Sequence, residues 1–336
     1  MSEVKEFYAG LGSGLDTVKV EEVYDARADR DVAKRVADTD NPFHIEVRFL
    51  GGLTEEQKQA FREAADRWAQ VIVGDLEDVE LPDGTVIDDV RIDAAGVFID
   101  GPGRVLGRAA PRLLRPQGSR DEFLTITGFM EFDVDDIPTM IQQGLWNTVI
   151  MHEMGHVIGM LDFVWTQKNL VRNKFTPQWS FVGQTAMEEF GKLQDPCANA
   201  TIAQLSGVAP TTGLAAAVGG GDGGGGGVPV PIEDNFGSGT QGSHWRESVF
   251  GNEMSTGFVD QGLNPLSRIT GGALKDIGYT VNIDACDPYT LPSPTALAMM
   301  GVLTAGRMHE LTGNIANGYF EHPTPMVAPA SMFENQ

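Results

Sequence analysis

Two histidines and a glutamate in the stretch VIMHEMGHVIGMLD (residues 149–162) have the types and spacing for metal-assisted hydrolysis. His152 and His156 stand four apart, so on a helix both imidazoles leave one face a turn apart and can reach a single tetrahedral metal ion. Glu153 lies between them, where its carboxylate can take a proton from a water whose pKa the metal has lowered. Two histidines at this spacing can equally be ordinary core or surface residues, so the flanks matter. Residues 145–151 supply apolar and helix-forming side chains, and Gly159 follows three residues after His156. A glycine there lets the chain turn sharply where a continuing helix would carry it away from the metal, so the helix is expected to stop.

This shortened motif resembles the metzincin pattern H-E-x-x-H-x-x-G-x-x-H, whose last residue is the third zinc ligand. Here that position is Asp162. Aspartate can ligate zinc through oxygen, as in the snapalysins, which keeps Asp162 as one candidate.

The 336 residues can bury a sizeable core, expected as one two-lobed unit. A formal net charge of −23 argues against nucleic-acid or anionic-lipid partners, which most of the surface would repel. Acidic residues Asp88, Asp89, Asp93 and Asp100 could also hold a structural calcium ion. No apolar run is long enough to span a bilayer, and the start MSEVKEFYAGLGSG shows no Sec-type signal. Cys197 and Cys286 allow one disulfide or two thiols. Neither precedes the histidine motif, which removes the simplest latency device, an N-terminal thiolate on the metal.

The elements that must position these residues follow in order. Residues 1–41 are polar and charged without sustained periodicity and read as an arm or leader. FHIEVRFL (residues 43–50) alternates as a half-buried strand does. Thr54 and Gln57 form a capping-box pattern, and Phe61, Ala64, Ala65, Trp68, Val71 and Ile72 make the apolar stripe of the helix that follows. DDVRIDAAGVFID (88–100), RVLGRAAP (104–111) and GFMEFDVDD (128–136) supply further strand patterns. AMEEFGKLQ suggests a short helix, and the glycine-dominated stretch 213–242 reads as a mobile loop or linker without the signature of a calcium solenoid or a phosphate loop. PLSRITGGALKDIGYTVN predicts a helix from Asn264 or Pro265 to Gly278, with Leu266, Ile269, Leu274 and Ile277 apolar. In the tail, TALAMMGVLTAGRMHEL could form a short amphipathic helix; His44, His309 and His322 take a core or solvated role by default.

Several of these segments together resemble bacterial members of the leishmanolysin family of zinc metallopeptidases: FHIEVRFLGGLTEEQKQAFREAADRWAQVIVGDL, IDGPGRVLGRAAP, GFMEFD, VIMHEMGHVIGM, SHWRESVFGNE and LSRITGGALKDIGYTVN. The resemblance runs from about residue 41 to residue 287. It implies an α+β, zincin-like metzincin fold: an upper lobe (42–161) with a twisted mixed sheet on two long helices, and a smaller, mostly irregular and helical lower lobe (162–287), preceded by the arm (1–41) and followed by a tail (288–336). In that family an insertion separates the short motif from a third histidine, which implies His152, His156 and His244 as zinc ligands and Glu153 as general base. Three imidazoles would leave zinc dipositive and a stronger Lewis acid than a carboxylate ligand would.

The family's methionine turn usually reads like N-E-L-M-T-G, whereas residues 252–257 are NEMSTG, so Ser255 falls where the methionine belongs and Met254 is taken for the turn. The segment Val105, Leu106, Gly107, Arg108 and Ala109 would be the sheet's antiparallel edge, whose free backbone groups could pair with an extended peptide substrate. Alternatively it is a plain edge blunted by Arg104 and Arg108. The implied function is a metalloendopeptidase, extracellular or cell-surface by the resemblance. The competing readings are a catalytically silent zinc-containing binding or adhesion module, with Asp162 as a fourth protein ligand, and a snapalysin-type enzyme using Asp162 as its third.

Overall fold

The computed structural model describes residues 19–81, 83–194, 227–237, 239–259, 262–293, 296–297 and 319–330. They build a mixed α and β protein in two compact units: Met1–Gly159 with Gly278–Asn282 and Gly318–Gln336, and Met160–Ile277 with Ile283–Asn317, each for its described residues.

In the first unit the first described elements are β1 (Glu22–Arg27) and α1 (Arg30–Ala37), the latter N-capped by Asp29, whose carboxylate accepts the Val32 N–H at 3.0 Å. For residues 22–37 this corrects the reading of an arm with little core, while residues 1–18 lie outside the described residues. β1 pairs antiparallel along the whole of β2 (His44–Phe49), and Ala26, Ala28 and Ala33 are buried. Small buried residues among charged ones leave too weak a periodic signal to find these elements in the sequence.

α2 (Glu55–Val71) starts at the expected capping box, with Thr54 and Gln57 each accepting the other's backbone N–H, and it buries Phe61, Ala64, Ala65, Trp68 and Val71. A short hairpin, β3 (Val79–Glu80) and β4 (Val86–Ile87), precedes β5 (Val90–Val97), β6 (Val105–Leu114) and β7 (Thr125–Asp133). Two helices follow, α3 (Ile137–Gln142) and α4 (Trp146–Ile158). Phe61 of α2 meets Phe49, Phe132 and Trp146 edge-on at centroid separations of 5.8, 5.8 and 6.0 Å, so sheet and both long helices share one aromatic core.

The second unit carries α5 (Asp162–Gln167), the small sheet of β8 (Val171–Arg172), β9 (Ser180–Phe181) and β10 (Val230–Pro231), then α6 (Gln184–Gln194), α7 (Glu247–Phe250) and α8 (Arg268–Ile277). α8 begins a few residues later than its apolar pattern suggests and ends at Gly278 (φ 124°), with Ile269, Leu274 and Ile277 fully buried. Half of the glycine-dominated stretch, including residues 213–226, Cys197, and nearly all of TALAMMGVLTAGRMHEL lie outside the described residues.

The tail returns to the first unit as β11 (Tyr319–Glu321) and β12 (Met326–Val327). The main sheet runs β1-β2-β5-β7-β6-β11, with β12 also on β6. β2, β5 and β7 are parallel, and β6 is antiparallel to β7. β6 is therefore not an open edge. Tyr319, Phe320 and Glu321 lie opposite Val105, Gly107 and Arg108, and Met326 and Val327 opposite Leu113 and Leu114, both strands parallel to β6. The expectation of free backbone groups along residues 105–109 is overturned by residues 319–321, which carry no pattern that announces a strand.

Candidate metal centre

α4 is held along its length before it presents a single ligand. Trp146 donates its indole N–H to the Gln57 carbonyl at 3.2 Å, and Trp68 donates its own to the Met151 carbonyl at 3.1 Å. At the other end the carbonyls of Val157 and Ile158 accept the Thr125 and Tyr279 hydroxyls at 2.7 and 2.8 Å, so the helix's terminal acceptors are satisfied in a dry interior. The helix stops at Gly159, whose φ of 123° is closed to most side chains.

On this rigid helix His152 and His156 are 8% and 2% exposed and bring their Nε2 atoms to 3.0 Å from one another. Two nitrogens bound tetrahedrally to one zinc would sit about 3.3 Å apart. The helix thus offers two ring nitrogens that could hold a metal ion. Imidazole donors suit a transition metal such as zinc, copper, iron or nickel and do not suit calcium, which takes oxygen ligands.

His244 is placed by its own neighbourhood. Its Nδ1 bonds the Thr240 carbonyl at 2.8 Å, which fixes Nδ1 as the protonated nitrogen and leaves Nε2 as the acceptor for a metal. The next residue, Trp245, is the anchor: fully buried, it stacks on Trp165 at 5.2 Å and donates to Thr270 Oγ1 at 2.9 Å. The buried Glu233 carboxylate ties the same segment together, accepting the amides of Asp234, Asn235 and Glu247, while burial pushes its pKa up.

Asp162 is occupied elsewhere. Its carboxylate oxygens accept Thr166 Oγ1 at 3.2 Å and Lys174 Nζ at 2.8 Å, and its amide donates to Ser243 Oγ at 3.0 Å. Met254 is buried, with its amide bonded to the Pro265 carbonyl at 3.0 Å. The turn around it is set by a residue that sequence reasoning passed over. Glu253, wholly buried, accepts the Ser255 and Ser267 amides and the Ser267 and Thr270 hydroxyls; burial pushes its pKa up despite these donors.

The four aspartates considered for calcium do not share a site. Asp88 pairs with Arg27 and His44, Asp89 accepts the His44 and Leu76 amides, Asp93 pairs with Arg48 and Arg112, and Asp100 accepts the Val105 amide. A different trio, Asp75, Asp78 and Asp88, converges among the described residues.

His322, given a core or solvated role by default, instead lies against the motif. Its Nε2 lies 3.0 Å from Glu153 Oε2, with side chains 6% and 1% exposed, and its ring is 4.1 Å from that of His156. Nothing in the tail's composition pairs it with the motif; the only hint is the aromatic run Tyr319 and Phe320 just before it. No helix among the described residues is long and apolar enough to cross a membrane. No protein-family model matches the chain, and no curated protein matches it in sequence.

Proposed function

We propose that this chain is a zinc-dependent endopeptidase of the leishmanolysin-like metzincin kind, with His152, His156 and His244 holding the metal and Glu153 acting as general base. The observation that carries the reading is the pairing of two buried imidazole nitrogens at 3.0 Å on a helix that also bears a buried carboxylate; the third ligand is carried over from the resemblance. Zinc, when bound, supplies a Lewis acid that polarises the scissile carbonyl and acidifies the attacking water. The chain's residues then do the proton work. Glu153 takes the proton from water as it attacks and delivers it to the leaving amine, so no covalent acyl-enzyme is needed.

The engagement of the Asp162 carboxylate by Lys174 and Thr166 favours His244 over Asp162 as third ligand, and it weighs against a closed site with Asp162 as the fourth. Peptide or protein is the proposed substrate and the outside of the cell or its surface the proposed location. The test is peptide release by the full chain, with zinc measured alongside. Hydrolysis that a chelator stops and zinc restores is expected, together with loss of hydrolysis but not of zinc in Glu153→Ala. Unchanged hydrolysis in that variant overturns the assignment.

A further inference from the structure

The tail strand and the histidine on Glu153 belong to one continuous stretch, residues 319–322. Three contacts seat it along the first unit. Tyr319 donates its amide to the Arg104 carbonyl at 2.7 Å, opening the pairing with β6. The Phe320 ring lies 6.1 Å from that of Phe132 and over Gly107, where an added Cβ would meet Phe320 at 3.1 Å. Arg108 Nε meets the Glu321 carboxylate at 2.7 Å. His322 then turns in from the strand's end onto Glu153.

We propose that residues 319–322 are a self-inhibitory strap. They fill by strand addition the groove an extended peptide would use, and they set His322 against the general base. The inference rests on the peptidase reading above. Two features make the strap displaceable rather than part of the core. Its grip is local: a three-residue strand with Tyr319 52% exposed, and an ion pair whose side chains are 38% and 36% exposed. Its anchor lies further on, where Ala328 donates to the Leu114 carbonyl at 2.8 Å and packs with Val79, Ile87, Leu113 and Ile126. Residues 319–322 could therefore leave while residue 328 stays in place. The contact also bears on catalysis directly: His322 occupies one acceptor position of Glu153 Oε2 that water would otherwise use, and the imidazole takes up space beside His156.

The experiment compares the full-length wild type with His322→Ala and with Glu321→Arg/His322→Ala. A labelled peptide of sequence YFEHPTP, the strap itself, serves as binding probe, alongside hydrogen exchange of the β6 amides, zinc content and peptide release. Both variants should bind the probe on the order of tenfold more tightly and expose the β6 amides, because the groove's open fraction rises. Hydrolysis should rise by a similar factor, and adding Arg108→Glu to the double variant should reverse part of the gain by restoring an ion pair of opposite sense. Equal probe binding and exchange in wild type and in folded, zinc-loaded His322→Ala overturn the strap, as does tighter probe binding without faster hydrolysis in an active protein. If nothing is hydrolysed by any form while probe binding still rises, the strap stands as an occupant of a peptide groove and the peptidase reading falls. Should the double variant fail to fold, His322→Ala alone carries the comparison.

Discussion

The Trp68 indole donates to the Met151 carbonyl at 3.1 Å, one residue before the first histidine of the motif and 83 residues from Trp68 in sequence. The same ring lies 3.0 Å from where a Cβ on Gly155 would stand, so α2 and α4 close on each other at the one position between the two histidines without a side chain. Trp68→Phe keeps most of the volume and leaves the carbonyl without its indole donor. A loss of about 1–3 kcal/mol in unfolding free energy is expected, read by urea denaturation in chelator so that metal does not contribute.

Gly159 ends α4 at φ 123°, and its amide bonds the Gly155 and His156 carbonyls at 3.2 and 3.0 Å. An alanine there must adopt a backbone conformation that L-residues avoid. Gly159→Ala should cost about 1–3 kcal/mol and lower the melting temperature of the metal-free protein; an unchanged melting temperature would mean the turn does not need glycine.

The third ligand is open to a direct comparison. His244→Ala should weaken zinc binding by more than the roughly 10–100-fold that loss of a supporting contact costs. Asp162→Asn should change it little, because its carboxylate serves Lys174 in a pair with side chains 29% and 27% exposed, worth about 0–1 kcal/mol. Competition with a chromogenic chelator measures both. Comparable weakening in the two variants would return Asp162 to the ligand set.

Burial, with the nearby Asp88 and Asp75 charges, pushes the Asp89 carboxyl up to about 7, against the pull of the Leu76 and His44 amides bonded to it. The folded state then holds a proton that the unfolded chain loses near its ordinary value. The stabilisation is complete at pH below about 4 and is lost as the pH rises towards 7. Stability measured by denaturant midpoint should fall across that window by up to a few kcal/mol. The slope should flatten in Asp89→Asn, even though the variant starts lower for want of a second acceptor. Parallel slopes in the two proteins would contradict the shift.

Much of the first unit was legible in the chain because its signals are local. The capping box at Thr54, the apolar stripe through Trp68 and the alternation before Phe49 each rest on residues a few positions apart, whose periodicity reports one buried face. Spacing alone likewise put His152, Glu153 and His156 on one helix and ended that helix at Gly159. What only the tertiary structure decided concerns partners far apart in sequence. The early strand beside β2 and the buried Glu253 gave no periodic signal. His322 reaches Glu153 across 169 residues, and β6 is covered by a strand that follows it by more than two hundred. Such pairings depend on where the sheet's edge and the helix end in space, and no short-range pattern of residue types encodes that.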